Sequence, residues 1–455
     1  MPDQNSDNPS KAPAGDQIDA SPTKGFFVDM LTRDIPLEQA VLDLVDNSVD
    51  AARRPPEKGG RPLAESVVRI EFDAERFSIT DNCGGFNKQE AKDYAFRFGR
   101  PASKPASPHS IGQFGVGMKR ALFKFGRHFS VVSRSLVDEW AIDVAVDQWE
   151  RNDRNWLFDW DEFSKHERHL TEGRGTEILV TSLRPEVSAK FSTSYFENQI
   201  ISLIKSKHRN FLSQGLTISV NGQHISPAVI LIAVHPSLSP GVNIFNIGKG
   251  ESSIVHVKII TGVGHSAPKS AGWWVICNGR VVLEADRRDV TGWGYYEEEN
   301  KRLLIPSFHN QFARYRGLAF FDSIDSGRVP WNTTKTDVDQ DSPVWRSAFD
   351  SMREMMRPVI NFLNDLDQDI DESPEHQSPL LRLVEEARYA PPESLTQPMQ
   401  FRAPARGDVV LGPRMGRISY QKPVDDIDAL KKELGLGSNK AVGEKTFDLI
   451  LDGTK

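Results

Sequence analysis

Apolar residues between Leu37 and Arg53 recur with the spacing of an amphipathic α-helix. At about 100° per residue, one face of this helix carries five apolar side chains: Leu37, Val41, Leu44, Val45 and Ala52. Asp43, Asn47 and Asp50 project together from the opposite face, because residues three and four apart are neighbours on a helix. Two carboxylates and a carboxamide are oxygen ligands suited to a hard cation. An ordinary helix with an acidic outer face is the alternative interpretation.

The rest of the chain mixes strand and helix patterns, which predicts an α+β protein. Alternation or short apolar runs predict strands at 67–72, 77–80, 128–134, 140–147, 176–183 and 216–225. Helical periodicity predicts helices up to Phe125, at 195–212, at 344–365 and on both sides of 435–437. Strands are expected to alternate with helices again through 272–285 and 315–324.

Shifts in composition divide the chain into five segments. Residues 1–22 are polar and rich in Pro, Asp and Ser, so we expect a disordered tail. Two domains are expected at 23–188 and 189–372. Scattered prolines and arginines predict a flexible linker at 373–424, followed by a small helical module at 425–455. That module either docks a partner protein or simply forms a helical hairpin.

Composition narrows the class of protein. A hydrophobic content of 38% with 26% charged residues is typical of a soluble globular chain. The net charge of −7 argues against a protein dominated by non-specific nucleic-acid binding. Cys83 and Cys277 are the two cysteines, too few for a disulfide framework, which favours a reducing compartment. No apolar run approaches the roughly 18 residues of a membrane helix, so we expect a cytoplasmic protein without membrane contact, or a nuclear one in a eukaryote.

Asp81 follows a predicted strand and precedes Gly84 and Gly85. A carboxylate at a strand end can accept a hydrogen bond from an exocyclic amine, which is how a site that reads adenine discriminates. The two glycines let the backbone turn tightly beside a planar ligand. A simple turn between two elements is the alternative.

A second glycine-rich segment opens a helix. Gly112, Gly115 and Gly117 precede it, so backbone N–H groups can converge on phosphate oxygens, and Lys119 could add a positive charge. The segment Gly99–Ser110 before it is rich in Ser, Pro and basic residues and is expected to be a mobile loop. A lone glycine-rich loop is weak support, because this one lacks the Lys-Ser/Thr ending of a P-loop.

The order of these motifs resembles the ATP-binding domain of the GHKL superfamily, over roughly residues 25 to 185. That superfamily includes gyrase B, the heat-shock ATPase chaperone, histidine kinases and MutL, and the MORC ATPases share the domain. The resemblance implies a two-layer α/β sandwich with a mixed, mostly antiparallel sheet and helices on one face. A transducer-like α/β domain and a mostly helical C-terminal region would follow. It also implies ATP and Mg²⁺ as ligands.

The resemblance assigns roles by motif position. Asn47 would coordinate Mg²⁺, Asp81 would bind the adenine amine with Thr176 supporting it through water, and Gly99–Ser110 would form a lid hinged at the glycines. The nucleotide-binding residues implied are Asn47, Asp50, Asp81, Gly85, Gly112, Phe114, Gly115, Val116, Gly117, Met118, Lys119 and Thr176.

Two positions depart from the superfamily pattern. Asp43 stands where the catalytic Glu is usual, four residues before Asn47. The shorter side chain withdraws the carboxylate by about one bond, and a misplacement near 1 Å can cost about a hundredfold in rate. Asp43 could still act as a general base; Asp46 is a less suitable substitute. Cys83 replaces the first glycine of the strand-end motif, and the turn is expected to survive.

Lys335 lies in the polar stretch Val329–Asp337. Considered alone it is a solvated lysine. Beside a GHKL domain the stretch resembles the transducer loop whose Lys reaches the γ-phosphate, which makes Lys335 the second catalytic candidate. Ile276–Val282 similarly resembles a transducer strand of MutL-type proteins.

The leading hypothesis is an ATP-gated, dimerising switch or clamp with slow Mg²⁺-dependent ATPase activity. A nucleotide-binding regulator with little hydrolysis and a heat-shock-type chaperone are the alternatives. A histidine kinase is disfavoured, because no phosphoacceptor His precedes the domain. DNA or a protein partner is suggested by analogy alone, with candidate basic residues at Lys205, Lys207, His208, Arg209, Arg287, Arg288 and 402–417.

Overall fold

The computed structural model describes residues 23–97, 107–112, 115–151, 155–165, 173–250, 253–297, 302–303, 305–373, 378–405, 418 and 421–454. The tail expected at 1–22 and most of the loop expected at Gly99–Ser110 lie outside these residues. The described chain forms two compact units. The first extends to Asn364 and includes Glu386–Pro404, and the second comprises Asp365–Glu385 and the described residues from Ala405 onward.

The helices of the described chain are α1 (Lys24–Arg33), α2 (Leu37–Ala52), α3 (Lys88–Glu90), α4 (Gly117–Phe125), α5 (Val146–Glu150), α6 (Pro185–Phe191), α7 (Ser194–Lys207), α8 (Arg209–Ser213), α9 (Pro343–Glu372), α10 (Pro379–Glu386), α11 (Val424–Leu434) and α12 (Asn439–Thr454). None of them is long and apolar enough to cross a membrane.

The strands of the described chain are β1 (Val67–Phe72), β2 (Phe77–Asp81), β3 (Gly126–Arg134), β4 (Glu139–Ala145), β5 (Trp160–Asp161), β6 (Gly175–Leu183), β7 (Thr217–Val220), β8 (Gln223–His224), β9 (Ile232–Val234), β10 (Gly241–Ile247), β11 (Val255–Val263), β12 (Gly272–Cys277), β13 (Arg280–Asp286), β14 (Tyr296–Glu297), β15 (Arg302–Leu303), β16 (Tyr315–Asp322) and β17 (Arg388–Ala390).

The first sheet has eight strands in the order β5-β4-β3-β6-β2-β1-β7-β8. Its neighbours are antiparallel except β1 and β7, which are parallel. This confirms the mixed, mostly antiparallel sheet expected for the first domain. The sheet continues past residue 188, where the first domain was expected to end, because β7 and β8 belong to it.

The single strand predicted over 216–225 is wrong. Asn221 and Gly222 have φ angles of 46° and 81°, and two consecutive left-handed residues form the tight turn of a β-hairpin. The chain therefore reverses between β7 and β8, which pair antiparallel.

Helix α2 lies in the interior of the first unit. It packs against α4 and α7, and Val41, Val45 and Val49 are fully buried. The acidic outer face of the alternative interpretation is only partly exposed: Asn47 is exposed, Asp50 is half-buried and Asp43 is 8% exposed. The neighbouring Asp46 is inaccessible. An acid held there needs a specific partner, because burying an unpaired charge is costly.

Aromatic side chains join the helical layer to the first sheet. The ring centroid of Phe77 in β2 lies 4.7 Å from that of Phe125 at the end of α4. Phe191 of α6 packs 5.8 Å from the same Phe77 ring. These contacts fix the C-terminal end of α4, and therefore the glycine segment at its other end, relative to β2.

The second sheet has five strands in the order β10-β11-β16-β12-β13. Among the described residues from 217 to 342 no α-helix separates its strands, so the alternation of strands and helices predicted there is wrong. Asn278 and Gly279 have φ angles of 47° and 88° and turn the chain directly from β12 into β13. Adjacent strands joined by such a turn need no crossover helix.

The flexible linker predicted at 373–424 is wrong for its first part. β17 pairs with β9, and Ala390 and Leu395 are buried in the first unit. In the second unit, α10 buries Leu380 and Val384. Burial of these apolar side chains stabilises the segment by more than its prolines destabilise regular structure. Helices on both sides of Gly435 are confirmed, since a φ of 66° at that residue ends α11.

Candidate functional site

A cavity of about 800 Å³ lies where α2, the end of β2 and the start of α4 meet. Twelve residues predicted for the site line it: Asp43, Asn47, Asp50, Asp81, Gly85, Gly112, Gly115, Val116, Gly117, Met118, Thr176 and Lys335. Phe114, also predicted, lies outside the described residues. The segments that the sequence singled out therefore surround one space, within the usual volume range of small-ligand pockets.

Asp81 is fixed in orientation at one end of the cavity. The hydroxyl of Ser48 donates to its Oδ2 at 2.7 Å, and the amide of Cys83 donates to Oδ1 at 2.9 Å. The amide of Thr176 donates directly to the same Oδ1 at 3.3 Å, in addition to the role through water expected for this residue. Burial raises the pKa of Asp81, and these three donors act against that rise. The carboxyl group is thus pre-oriented to accept a hydrogen bond from a ligand.

The turn after Asp81 survives the cysteine at position 83. Cys83 is fully buried, and Gly84 and Gly85 have φ angles of 112° and 65°. A Cβ at Gly85 would lie 2.3 Å from the carbonyl oxygen of Arg134, so only glycine fits there.

Asp43 borders the cavity between α4 and the loop that carries Lys335. The side chain of Gln39 donates to its Oδ1 at 2.9 Å. A Cβ placed on Gly117 would lie 3.1 Å from the Cβ of Asp43, so the start of α4 closely approaches this acid. Asp43 is therefore oriented by Gln39 and still adjoins the space where a water molecule could be polarised.

Asp50 anchors the glycine segment and also lines the cavity. Its two oxygens accept the amides of Ile111 and Gly112, each at 2.7 Å. Burial raises the pKa of Asp50, and these two amides act against that rise. The contact of Asp50 with nucleotide and of the glycine segment with phosphate stays a prediction.

Lys119 is not among the described residues that line the cavity, and its predicted role beside the phosphates stays a prediction. Its side chain is buried on another face of α4, and Nζ donates to the carbonyl of Ala95 at 2.7 Å. Cations that the sequence reasoning missed line the cavity instead: Arg54, Lys58 and Arg120. Arg54 donates to the carbonyl of Gly85 at 2.8 Å, which supports the turn after Asp81.

Lys335 reaches the cavity from the second half of the chain, as predicted. Its Nζ lies 2.8 Å from Asp46 Oδ2 and 3.6 Å from Asp43 Oδ1. Burial lowers the pKa of Lys335, but the charges of Asp46 and Asp43 outweigh burial and raise it overall. Lys335 therefore carries its positive charge at neutral pH beside the predicted catalytic acid.

Part of the basic cluster at 205–209 is engaged inside the protein. Lys207 donates to the carbonyl of Val282 at 2.8 Å, and burial lowers its pKa to about 8. His208 and Arg209 are buried, and Arg209 pairs with Glu393 at 2.9 Å. Lys205 is exposed, and contact of this cluster with nucleic acid stays a prediction.

The donors present suit a magnesium-bound nucleotide. Asn47 is exposed toward the cavity, with Asp43 one helical turn before it. Among the described residues no group of three or more His, Cys, Asp or Glu side chains could hold a metal alone. Mg²⁺ usually takes one or two protein ligands, waters and substrate phosphates, so a single carboxamide beside a phosphate-sized space fits this ion.

Residues 35–176 match the model of a protein family described as histidine kinase-, DNA gyrase B-, and HSP90-like ATPase. The matched range begins just before α2 and ends in β6, so it includes Asp43, Asn47, Asp81 and the glycine segment. No curated protein matches the chain.

Proposed function

Because residues 35–176 match the model of a family described as histidine kinase-, DNA gyrase B-, and HSP90-like ATPase, we propose that this protein binds ATP in the cavity and hydrolyses it slowly with Mg²⁺. We further propose that bound ATP, but not ADP, promotes dimerisation, so that the protein works as an ATP-gated switch.

The observation that carries the proposal is the arrangement of Asp81 and Lys335 around one cavity. Asp81 offers a fixed acceptor that suits the exocyclic amine of adenine, and Lys335 offers a cation that suits a terminal phosphate. The two residues come from opposite halves of the chain. A ligand that must satisfy both is long, with an amine at one end and an anion at the other.

The remaining residues supply the chemistry. Asn47 would hold Mg²⁺ together with the phosphates, and the bound ion would neutralise phosphate charge. Asp43, oriented by Gln39, would accept a proton from the attacking water. Lys335 would stabilise the charge on the terminal phosphate.

A nucleotide-binding regulator with little hydrolysis is the second candidate. The specific observation in its favour is at Asp43, whose short carboxylate is already engaged by Gln39 and lies 3.6 Å from Lys335. A carboxylate that already accepts a hydrogen bond and lies near a cation has less freedom to turn toward an attacking water, which slows proton abstraction.

Phosphate release and size-exclusion chromatography with light scattering distinguish the two candidates. We expect slow Mg²⁺-dependent phosphate release from the wild type and a dimer with a non-hydrolysable ATP analogue but not with ADP. Asp43→Asn should bind ATP, lose about a hundredfold or more in turnover and remain dimeric in ATP. If Asp43→Asn hydrolyses ATP as fast as the wild type, Asp43 is not the base; if the wild type releases no phosphate, the regulator is correct.

A further inference from the structure

Asp46 lies at the centre of a buried ionic cluster that the nucleotide chemistry does not require. Its Oδ2 contacts Lys335 Nζ at 2.8 Å. Its Oδ1 lies 2.9 Å from His208 Nε2 and 2.9 Å from Arg280 Nε. The carboxylate, the imidazole and the guanidinium are each 0% or 1% exposed. One carboxylate of α2 thus holds three partners from three distant segments of the chain.

Carboxylates and cations pair closely in this cluster. Asp46 pairs with Arg280 and Lys335, and Lys335 Nζ also lies 3.6 Å from Asp43 Oδ1. Burial, followed by the charge of Arg280, lowers the pKa of His208 to about 4, so His208 is neutral and contributes a hydrogen bond. A buried cluster of paired charges is sensitive to any new charge at its edge, because screening by solvent is weak there.

Lys335 is the member of the cluster that can respond to such a charge. Lys335 lines the cavity, whereas Asp46, His208 and Arg280 do not. Its own backbone has a φ of 56°, a left-handed conformation that is rare for residues with a side chain. The polar loop around it contains local turns. In one of them the amide of Lys335 donates to the carbonyl of Asn332 at 3.0 Å.

By contrast, hydrogen bonds join the turn between β12 and β13 to Arg53, Ser110 and Asn210. The carbonyl of Asn278 accepts Arg53 Nη1 at 3.0 Å, and its Nδ2 donates to the carbonyl of Ser110 at 3.2 Å. Asn210 donates to the carbonyl of Gly279 at 3.0 Å. Arg280, which follows this turn, is therefore held in place, whereas Lys335 is the cation paired with Asp46 that lines the cavity.

We propose that Asp46 is a positioning residue that pairs with Lys335 at the wall of the cavity, so that a nucleotide's terminal phosphate must compete with Asp46 for this lysine. The inference rests on the proposed function and deepens it. Attraction between Lys335 and the terminal phosphate then makes the protein prefer ATP over ADP. Asp46 weakens this preference, because it attracts the same lysine. When Lys335 turns toward the ligand, Asp46 keeps the positive charge of Arg280 and the hydrogen bond of His208. The buried carboxylate is therefore never left without a partner.

A double-mutant cycle with calorimetric binding of Mg–ADP and a Mg-bound, non-hydrolysable ATP analogue tests the proposal. Asp46→Asn should tighten the analogue about tenfold, within the usual range of coupling between sites, and leave ADP unchanged. Lys335→Met should abolish the preference for the analogue. In the Lys335→Met background, Asp46→Asn should no longer alter the ratio of the two dissociation constants.

Two controls separate this effect from a structural one. Glu393→Gln breaks the ion pair with Arg209 in the same unit without touching Lys335, and it should leave both affinities unchanged. If Asp46→Asn does not fold because Arg280 loses its counter-ion, the double variant Asp46→Asn/Arg280→Met removes both charges and should show the same gain for the analogue.

The proposal is overturned if Asp46→Asn shifts ADP and analogue affinities equally, or if its effect on their ratio persists without Lys335. Failure of the proposed function gives a different result, because the wild type would then bind neither nucleotide.

Discussion

The hydroxyl of Ser48 lies 2.7 Å from a carboxylate oxygen of Asp81 and joins α2 to the end of β2. Ser48 directly follows Asn47, and both residues line the cavity. The contact therefore ties the orientation of Asp81, the acceptor proposed for adenine, to the helix that carries Asn47, the ligand proposed for Mg²⁺.

Ser48→Ala should weaken binding of adenine nucleotides about tenfold. A hydrogen bond to a charged group contributes roughly 1.5–3 kcal/mol, and its loss leaves Asp81 less well oriented and easier to protonate. Calorimetric titration with Mg–ADP measures the effect. Ser188→Ala is a matched control, because its hydroxyl contacts the carbonyl of Ala74 on the surface. Equal affinities for Ser48→Ala and wild type would show that this contact does not orient the acceptor.

Asp43→Glu should raise turnover about tenfold with little change in nucleotide affinity. The added methylene restores the reach that the shorter acid lacks, and rates of proton transfer depend steeply on such distances. Steady-state phosphate release gives kcat and KM separately. A rise in KM with unchanged kcat would mean that the longer side chain only crowds the start of α4, where Gly117 approaches Asp43.

Glu177 should make the stability of the first sheet depend on pH. It is buried in β6, and burial raises its pKa from 4.5 to about 7. Below pH 4.5 the side chain is protonated in both the folded and unfolded states and imposes no penalty. As pH rises from 4.5 to 7 the unfolded state loses this proton while the folded state still holds it, so the free energy of unfolding falls over that range.

Glu177→Gln removes this titration. The variant should therefore gain stability relative to wild type as pH rises from 5 to 8, by about 2 kcal/mol after allowance for solvent screening. Denaturant unfolding at both pH values measures the gain. If the free energies of unfolding of the two proteins differ by the same amount at pH 5 and pH 8, Glu177 does not cause the pH dependence.

Much of the site could be predicted from the sequence because its motifs are local. Asp81 with its glycines, and Gly112 to Gly117 before α4, are short segments whose backbone requirements are visible in the residue types. Their order along the chain indicated the fold of the first domain. Two hairpins could also have been found, since Asn-Gly at 221–222 and at 278–279 is a strong signal for a tight turn.

The remainder depends on contacts between distant parts of the chain. Lys335 and Asp46 are separated by 289 positions, and no local pattern distinguishes a lysine that pairs with a buried acid from a solvated one. Lys119 is a second example. Its place near the glycine segment predicts a phosphate contact, whereas its Nζ donates to the carbonyl of Ala95 in this structure. Side-chain direction on a helix is set by packing, which the sequence gives only approximately.

Calorimetric titration of wild type and Asp81→Asn with Mg–ATP tests most directly whether this cavity binds ATP through Asp81. An amide at this position presents an N–H₂ group where the adenine amine needs an acceptor. A site that loses such a pairing rejects its ligand strongly. We expect saturable binding of one ATP per chain by the wild type and none detectable for Asp81→Asn, with GTP bound by neither protein. Equal binding of ATP by both proteins, or no binding by the wild type, would contradict the account.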